Sequence, residues 1–372
     1  MDGQRRRHRL TRAQVAPRPV SPITGPQASQ SRGPGPPCRP FLYWLRSNLH
    51  KGRAMITLLF LSPAPKAGKT ALAAALALHL AYQGRRVLAL RLGDRAHAAA
   101  AHDARLFAGL PFARGRGGAP LTPEEALRLA SEGERPVEVL FLEADPGPTA
   151  QTAAEQADAR VVLVLRGVSG AQVEVARAAA ETLGDQLRAV VATAVPERQV
   201  GVAQEALAGT GLPVLAVLPE DRTLYAPTVA DLIEALEAEV ILGEPDLEQA
   251  IEHILVNPIS ADPGQPYYAR RRNKAVITRS DKTDLQLAAL QTQTDLLILT
   301  GGVPPSPYTI DRAAGEEVPL LLTRLGTREA VSRLEDVYAR SRFTGEAKLE
   351  RMRALLLAKA DQRLLEALVA RA

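Results

Sequence analysis

A chain of 372 residues with 46% apolar residues is long enough for two domains with real cores, and its single cysteine, Cys38, excludes intrachain disulfides and a cysteine-based metal centre. The formal net charge of +5 is unevenly placed: residues 1–53 carry eleven Lys/Arg against one acid, Asp2, and the rest carries 35 basic and 40 acidic residues. The mildly acidic body argues against a nucleic-acid groove across it.

Residues 1–53 hold eight prolines before Phe41 and show no sustained periodicity, the composition of a disordered extension. Its run Arg5-Arg6-Arg7-His8-Arg9 is the one place where nucleic acid would be met. The plainer reading is a non-structural extension translated from an upstream start, with Met55 as a natural beginning. The apolar run 41–45 is too short to span a bilayer, and the run 55–61 leads into a polar loop rather than a signal-cleavage site. The expected compartment is the cytoplasm, with no membrane partner.

Residues 55–61 predict a buried strand and 71–82 an Ala/Leu-rich helix. Between them stands Ser62-Pro63-Ala64-Pro65-Lys66-Ala67-Gly68-Lys69-Thr70. Strand, glycine-bearing loop and helix, with Gly-Lys-Thr at the loop-to-helix junction, form a phosphate cradle, in which backbone N–H groups hold phosphate oxygens. Lys69 is expected to reach the β/γ-phosphates of ATP and Thr70 to ligate Mg²⁺. Lys66 adds positive charge and Gly68 permits the turn. The usual pattern has glycine where this chain has Pro63, which fixes φ and lacks a donor. Two readings stay open: a working site with a variant loop, and a surviving scaffold loop.

Further apolar runs at 87–90, 137–142, 161–165, 189–193 and 213–218 alternate with helical candidates at 123–132, 150–158, 170–184 and 198–208. That alternation predicts a mostly parallel sheet covered on both faces, with ligands beyond the strands' carboxyl ends. Glu143 follows one such strand and is a candidate Mg²⁺ ligand, with Asp145 two residues on. Asp103, after the 87–90 strand, is a third candidate; for each, an ordinary solvated acid is the alternative. His97 and His102 lack metal-ligand spacing.

A second region opens at Leu218-Pro219-Glu220-Asp221-Arg222 and continues with a helix over 229–238 that Thr228 is placed to cap. The stretch 254–260 leads to a polar turn, Asp262-Pro263-Gly264, and strands are expected at 275–278, 296–299 and 320–323. Two strand ends present polar loops, 278–284 and 300–302. Thr278, Asp281, Asp284, Thr300, Gly301 and Gly302, with Arg272 from the run 270–272, are the candidate site for a small anionic effector. In the competing reading Asp281 and Asp284 cap the next helix, the glycines shape a turn, and the arginines are a subunit contact or a solvated edge. Residues 327–339 and 345–370 predict helices that cap the fold or self-associate.

On these residues the first region resembles the P-loop domain of the dethiobiotin synthetase and cobyrinic acid a,c-diamide synthase superfamily. The resemblance implies that Glu143 and Asp103 assist Mg²⁺, and it carries a base contact to Thr193-Ala194-Val195, where the family has Asn-Arg-Val. It departs at Arg91-Leu92, where the family has Lys-Pro. The second region resembles the DRTGG domain through Leu218-Pro219-Glu220-Asp221-Arg222, Asn273-Lys274-Ala275-Val276-Ile277-Thr278, the stretch 281–290 and Leu299-Thr300-Gly301-Gly302. Together they resemble the N-terminal regulatory region of long bacterial phosphotransacetylases, without room for the acetyl-transferring domain.

The expected fold is α/β: a P-loop NTPase-like parallel-sheet domain (54–215), a smaller α/β DRTGG-like domain (216–326) and a helical C-terminal segment (327–372), after the extension 1–53. The expected function is an ATP–Mg²⁺-binding regulatory or sensor protein with weak or no ATPase and no phosphate acetyltransferase activity. It is expected to form a homo-oligomer, to answer to an effector and to meet a protein partner. The alternatives are an ATP-dependent carboxylate-activating ligase and a non-enzymatic scaffold with a vestigial P-loop.

Overall fold

The computed structural model describes residues 55–133, 136–256 and 264–371, all within the compact unit Gly52–Ala372. The expectation of disorder over 1–53 lies outside the described residues, as does most of the turn around Asp262.

Among the described residues, the first sheet has six strands: β1 (Ile56–Leu61), β2 (Val87–Arg91), β3 (Val139–Glu143), β4 (Arg160–Arg166), β5 (Leu187–Val195) and β6 (Val214–Pro219). Their spatial order is β2-β3-β1-β4-β5-β6, and every pairing is parallel. Helices α1 (Lys69–Tyr82), α2 (Ala98–Gly109), α3 (Pro123–Ser131), α4 (Pro148–Gln156), α5 (Gly170–Leu183) and α6 (Val200–Ala208) make the crossovers. The central strands are buried along almost their whole length, which is why they read as unbroken apolar runs. Register aligns Phe60, Glu143 and Arg91 across β1, β3 and β2, so the polar residues closing β3 and β2 stand side by side next to the carboxyl end of β1. The first sheet runs to Pro219, beyond the 215/216 boundary set from the sequence.

After α7 (Arg222–Tyr225) and α8 (Val229–Leu236), a second sheet is built from β7 (Glu239–Leu242), β8 (His253–Val256), β9 (Lys274–Arg279), β10 (Leu296–Thr300) and β11 (Leu320–Leu322). Its order is β7-β11-β10-β9-β8, parallel except for the antiparallel edge strand β7. Helices α9 (Gly264–Tyr268), α10 (Thr283–Leu290) and α11 (Pro307–Gly315) connect its strands. Thr228 caps α8 as expected, its hydroxyl accepting from the Asp231 N–H while the Asp231 carboxylate accepts from Thr228.

The C-terminal segment divides between the two sheets. Helices α12 (Thr327–Glu335) and α13 (Val337–Arg340) pack on the second through Ala330, Leu334 and Val337. The helix expected over 345–370 breaks in two, because Asp361 leaves the helical path and caps the next segment by accepting from the Leu364 N–H. The halves, α14 (Glu346–Lys359) and α15 (Gln362–Val369), return to the first sheet, where Leu349, Met352, Leu356, Leu365 and Leu368 join the core built on α1. Each buried leucine contributes about 2 kcal/mol. No helix among the described residues is long and apolar enough to cross a membrane.

Candidate functional site

Gly68 begins α1 in the left-handed conformation, φ +86°, which glycine adopts without a Cβ clash. No side chain caps this helix, so its first N–H groups face the cleft as a ready anion site. Pro63 does not leave the loop loose. The Ser62 hydroxyl accepts from the Ala64 N–H at 3.2 Å and donates to the Ala64 carbonyl at 2.9 Å. Lys66 also sits at positive φ, +54°. A non-glycine residue there costs about 1–2 kcal/mol, and Arg166 holds it by donating to the Lys66 carbonyl at 2.8 Å. Thr193, buried at the end of β5, donates to the carbonyls of Ala67 at 2.7 Å and Leu165 at 3.2 Å. Thr193 thus braces the loop; its hydroxyl proton is committed to main chain.

Lys69, Thr70, Glu143, Asp145 and Asp103 come together around Arg91. The Lys69 ammonium lies 2.8 Å from Asp145, and the Thr70 hydroxyl donates to Glu143 Oε1 at 3.1 Å. Arg91, 2% exposed, donates to the carbonyls of Leu92 and Glu143 at 2.6 and 3.2 Å and pairs with Asp145 through its second amino group. Its Nε lies 3.6 Å from Asp103 and 3.9 Å from Glu143. In the sequence Arg91 stands out only as a departure from Lys-Pro; in the structure it is the hub of the carboxylates. Asp103 therefore reaches the cluster through Arg91 rather than by joining Thr70 and Glu143 directly.

Burial pushes the Glu143 carboxyl up to about 7, with the nearby Asp103 charge adding to the effect against Arg91 and Lys69. Burial raises Asp103 as well, opposed by Arg91. For Asp145 burial acts upward too, but the hydrogen bond from Lys69 and the charge of Arg91 outweigh it and hold the carboxyl low. Glu143 Oε2 is buried and has no hydrogen-bond partner among the described residues. An orphaned carboxylate oxygen beside the Thr70 hydroxyl suits a hard divalent cation that takes few protein ligands and completes its shell with phosphate and water. Among the described residues no group of three or more His, Cys, Asp or Glu is arranged to hold a metal.

These residues line one end of a cleft of about 1820 Å³. It continues past Thr193, Ala194, Pro219 and Tyr225 to residues of α8, α12 and α13 and the connection to α14. The guanidinium of Arg166 stacks over the Tyr225 ring at 5.6 Å, giving the middle of the cleft a planar, cationic wall.

The effector-site candidates are only partly assembled. Thr278, Asp281, Asp284, Thr300, Gly301 and Gly302 gather at the carboxyl ends of β9 and β10, whereas Arg272 is exposed before the amino end of β9 and does not join them. The Gly301 and Gly302 N–H groups donate to the carbonyls of Leu325 and Thr323, and a Cβ on Gly302 would meet the Arg324 backbone at 3.3 Å. These glycines admit a neighbouring loop. The Asp281 carboxylate pairs with Arg279 and does not cap α10, whose preceding residue Lys282 makes no side-chain cap. Thr300 shares a hydrogen bond with Thr327 at 2.7 Å, and the buried Thr278 hydroxyl has no partner among the described residues.

The DRTGG domain family matches residues 231–337; Leu218-Pro219-Glu220-Asp221-Arg222 falls outside that match, at the end of β6. Among curated proteins, the chain is 27% identical over 157 residues to a phosphate acetyltransferase of Synechocystis, covering 40% of this chain and 22% of that protein. It is 26% identical over 149 residues to a phosphate acetyltransferase of Nitratidesulfovibrio vulgaris, covering 37% and 21%. The matched stretch is thus about a fifth of the relatives' length. Among solved structures, the CBS and DRTGG domains of the regulatory region of Clostridium perfringens pyrophosphatase, complexed with diadenosine tetraphosphate, align at TM-score 0.28 and 15% identity, over 40% of this chain and 74% of that one. The septum site-determining protein MinD with Mg-ADP from Pyrococcus horikoshii aligns at TM-score 0.31 and 17% identity, over 46% and 83%. The chain contains a DRTGG domain and shares distant homology with phosphate acetyltransferases over part of its length.

Proposed function

We propose that this protein is a regulatory nucleotide-binding protein that takes ATP with Mg²⁺ in the cleft and has no acetyl-transferring activity of its own. The observation that carries the reading is the joint placement of Gly68, Lys69 and Thr70 at the uncapped start of α1, opposite the unpartnered oxygen of Glu143. Main-chain N–H groups and Lys69 would hold phosphate oxygens; Thr70 and Glu143 would hold the cation. The cation would neutralise phosphate charge, and the protein residues would orient it. Turnover is expected to be slow, because Asp103, Glu143 and Asp145 are already held by Arg91, Lys69 or Thr70 and none is left to position a water. The ligase reading gains no support from Arg91, whose guanidinium is buried against main-chain carbonyls instead of open to a substrate carboxylate.

The scaffold reading has one observation of its own, the closed Lys69–Asp145 pair. Calorimetric titration of the full chain with ATP and with ADP, in Mg²⁺, separates the two. Saturable binding that Lys69→Ala abolishes supports the regulatory reading; a folded wild type that takes up neither nucleotide supports the scaffold.

A further inference from the structure

The wall of the cleft facing the phosphate loop does not come from the first sheet. It is supplied by Asp231 and Glu234 of α8, Arg333 of α12 and the residues around 340–344. Most cations lining the cleft already have a fixed partner. Lys69 and Arg91 hold carboxylates, Arg166 holds the Lys66 carbonyl, and Arg333 pairs with Glu237 and Glu329. Arg340 and Arg342 differ: through their side chains neither makes a hydrogen bond or ion pair with the described residues.

Of the two, Arg342 belongs to the phosphate end. It lines the cleft together with Lys69 and with His102 and Asp103 of α2, and its charge, unlike that of Arg340, bears on both of those α2 residues. The main chain beneath Arg342 is firmly held. Ser341 donates from its N–H to the Val337 carbonyl at 2.7 Å and from its hydroxyl to the Asp231 carboxylate at 2.9 Å. The ammonium of Lys348, 1% exposed, donates to the Arg342 carbonyl at 3.2 Å. An exposed guanidinium on a fixed backbone is a pre-positioned fork for phosphate oxygens.

We propose that Arg342 is the residue by which the second sheet's side of the molecule reads the γ-phosphate of a bound nucleoside triphosphate, across the cleft from Lys69. The inference rests on the nucleotide-binding reading and adds what distinguishes ATP from ADP. The path outward is short. The Arg342 main chain is tied through Ser341 to Asp231, which completes the capping box of α8 with Thr228, and through Lys348 to α14, which packs on α1. A nucleotide with a γ-phosphate would fix the connection between the DRTGG residues and the phosphate-loop helix; one without it would leave the connection unengaged.

The test is titration of ATP and ADP, each with Mg²⁺, into the full wild-type chain and its Arg342→Ala, Arg342→Lys and Arg340→Ala variants, with hydrogen exchange followed over residues 337–349. Arg342→Ala should weaken ATP about tenfold, as expected for loss of a charged contact, and leave ADP within about twofold. Arg342→Lys should recover part of the difference and Arg340→Ala should change neither. ATP should slow exchange over 337–349 in the wild type and not in Arg342→Ala. Equal losses for ATP and ADP, or none for either while the wild type binds both, would overturn the assignment to Arg342 and leave the nucleotide site standing. A folded wild type that binds neither nucleotide would overturn both readings.

Discussion

The ammonium of Lys69 is held 2.8 Å from the carboxylate of Asp145, so the cation best placed to receive a phosphate is already engaged by an internal anion. The partners are unequal: the Lys69 side chain is 9% exposed and that of Asp145 56%. The exposed partner can swing away while Lys69 stays. Asp145→Asn keeps the shape and removes the competing charge. For a pair this open to solvent the gain is about 0.2–1 kcal/mol, or up to about fivefold in affinity for ATP. Calorimetry comparing the two proteins checks it; weaker binding in Asp145→Asn would assign the carboxylate to the bound cation instead.

Arg91 holds the cluster together from a buried position, so removing it has a different consequence. Arg91→Met leaves Asp103 and Glu143 without their nearby cation, and Asp145 and two main-chain carbonyls without a donor. A broken buried network of this kind costs about 3–5 kcal/mol. Denaturant unfolding should show that loss, and adding Glu143→Gln to Arg91→Met should recover part of it. A loss below about 1 kcal/mol would mean that water replaces the guanidinium.

Thr193 tests the brace. Thr193→Val conserves volume and removes the hydroxyl that donates to Ala67 and Leu165, at a cost of about 1–3 kcal/mol for the buried carbonyls left unpaired. Nucleotide affinity should fall with stability in Thr193→Val and survive in Thr193→Ser. Unchanged affinity in Thr193→Val would show that the loop keeps its shape without the brace.

Lys348 provides a pH dependence away from the phosphate end. Burial drives its ammonium down to about 8 against the opposing charge of Asp231, from a usual 10.5. Between those values the unfolded chain binds more protons than the folded one, so stability rises with pH across that window; as pH falls through 8 this contribution is lost. At pH 7 Lys348→Met should match or exceed the wild type, by up to about 3 kcal/mol. The gap should narrow as pH is raised to about 9.5. Melting curves of both proteins check this, and parallel pH profiles would contradict it.

Much of the first sheet is legible locally because its strands are buried on both faces, and such runs announce themselves between helices. The order β2-β3-β1-β4-β5-β6 is not, since crossover connections leave no local trace. Helix α2 escapes notice: it begins after His97, which gives no side-chain cap, and its alanines carry little periodicity. Strand β7 is an exposed edge without alternation. The leucines of α14 and α15 mark helices, but their return to the first sheet depends on the intervening fold. At the site, Gly68-Lys69-Thr70 and Glu143 stand out by motif and by position at strand ends. Arg91 and Arg342 have no motif; the role of one comes from burial among carboxylates and of the other from its place between α13 and α14.

The most direct test of the account is titration of ATP with Mg²⁺ into the full chain beside its Lys69→Ala variant. The account predicts saturable binding by the wild type and none by a folded Lys69→Ala. Equal binding by the two proteins, or none by a folded wild type, would contradict it.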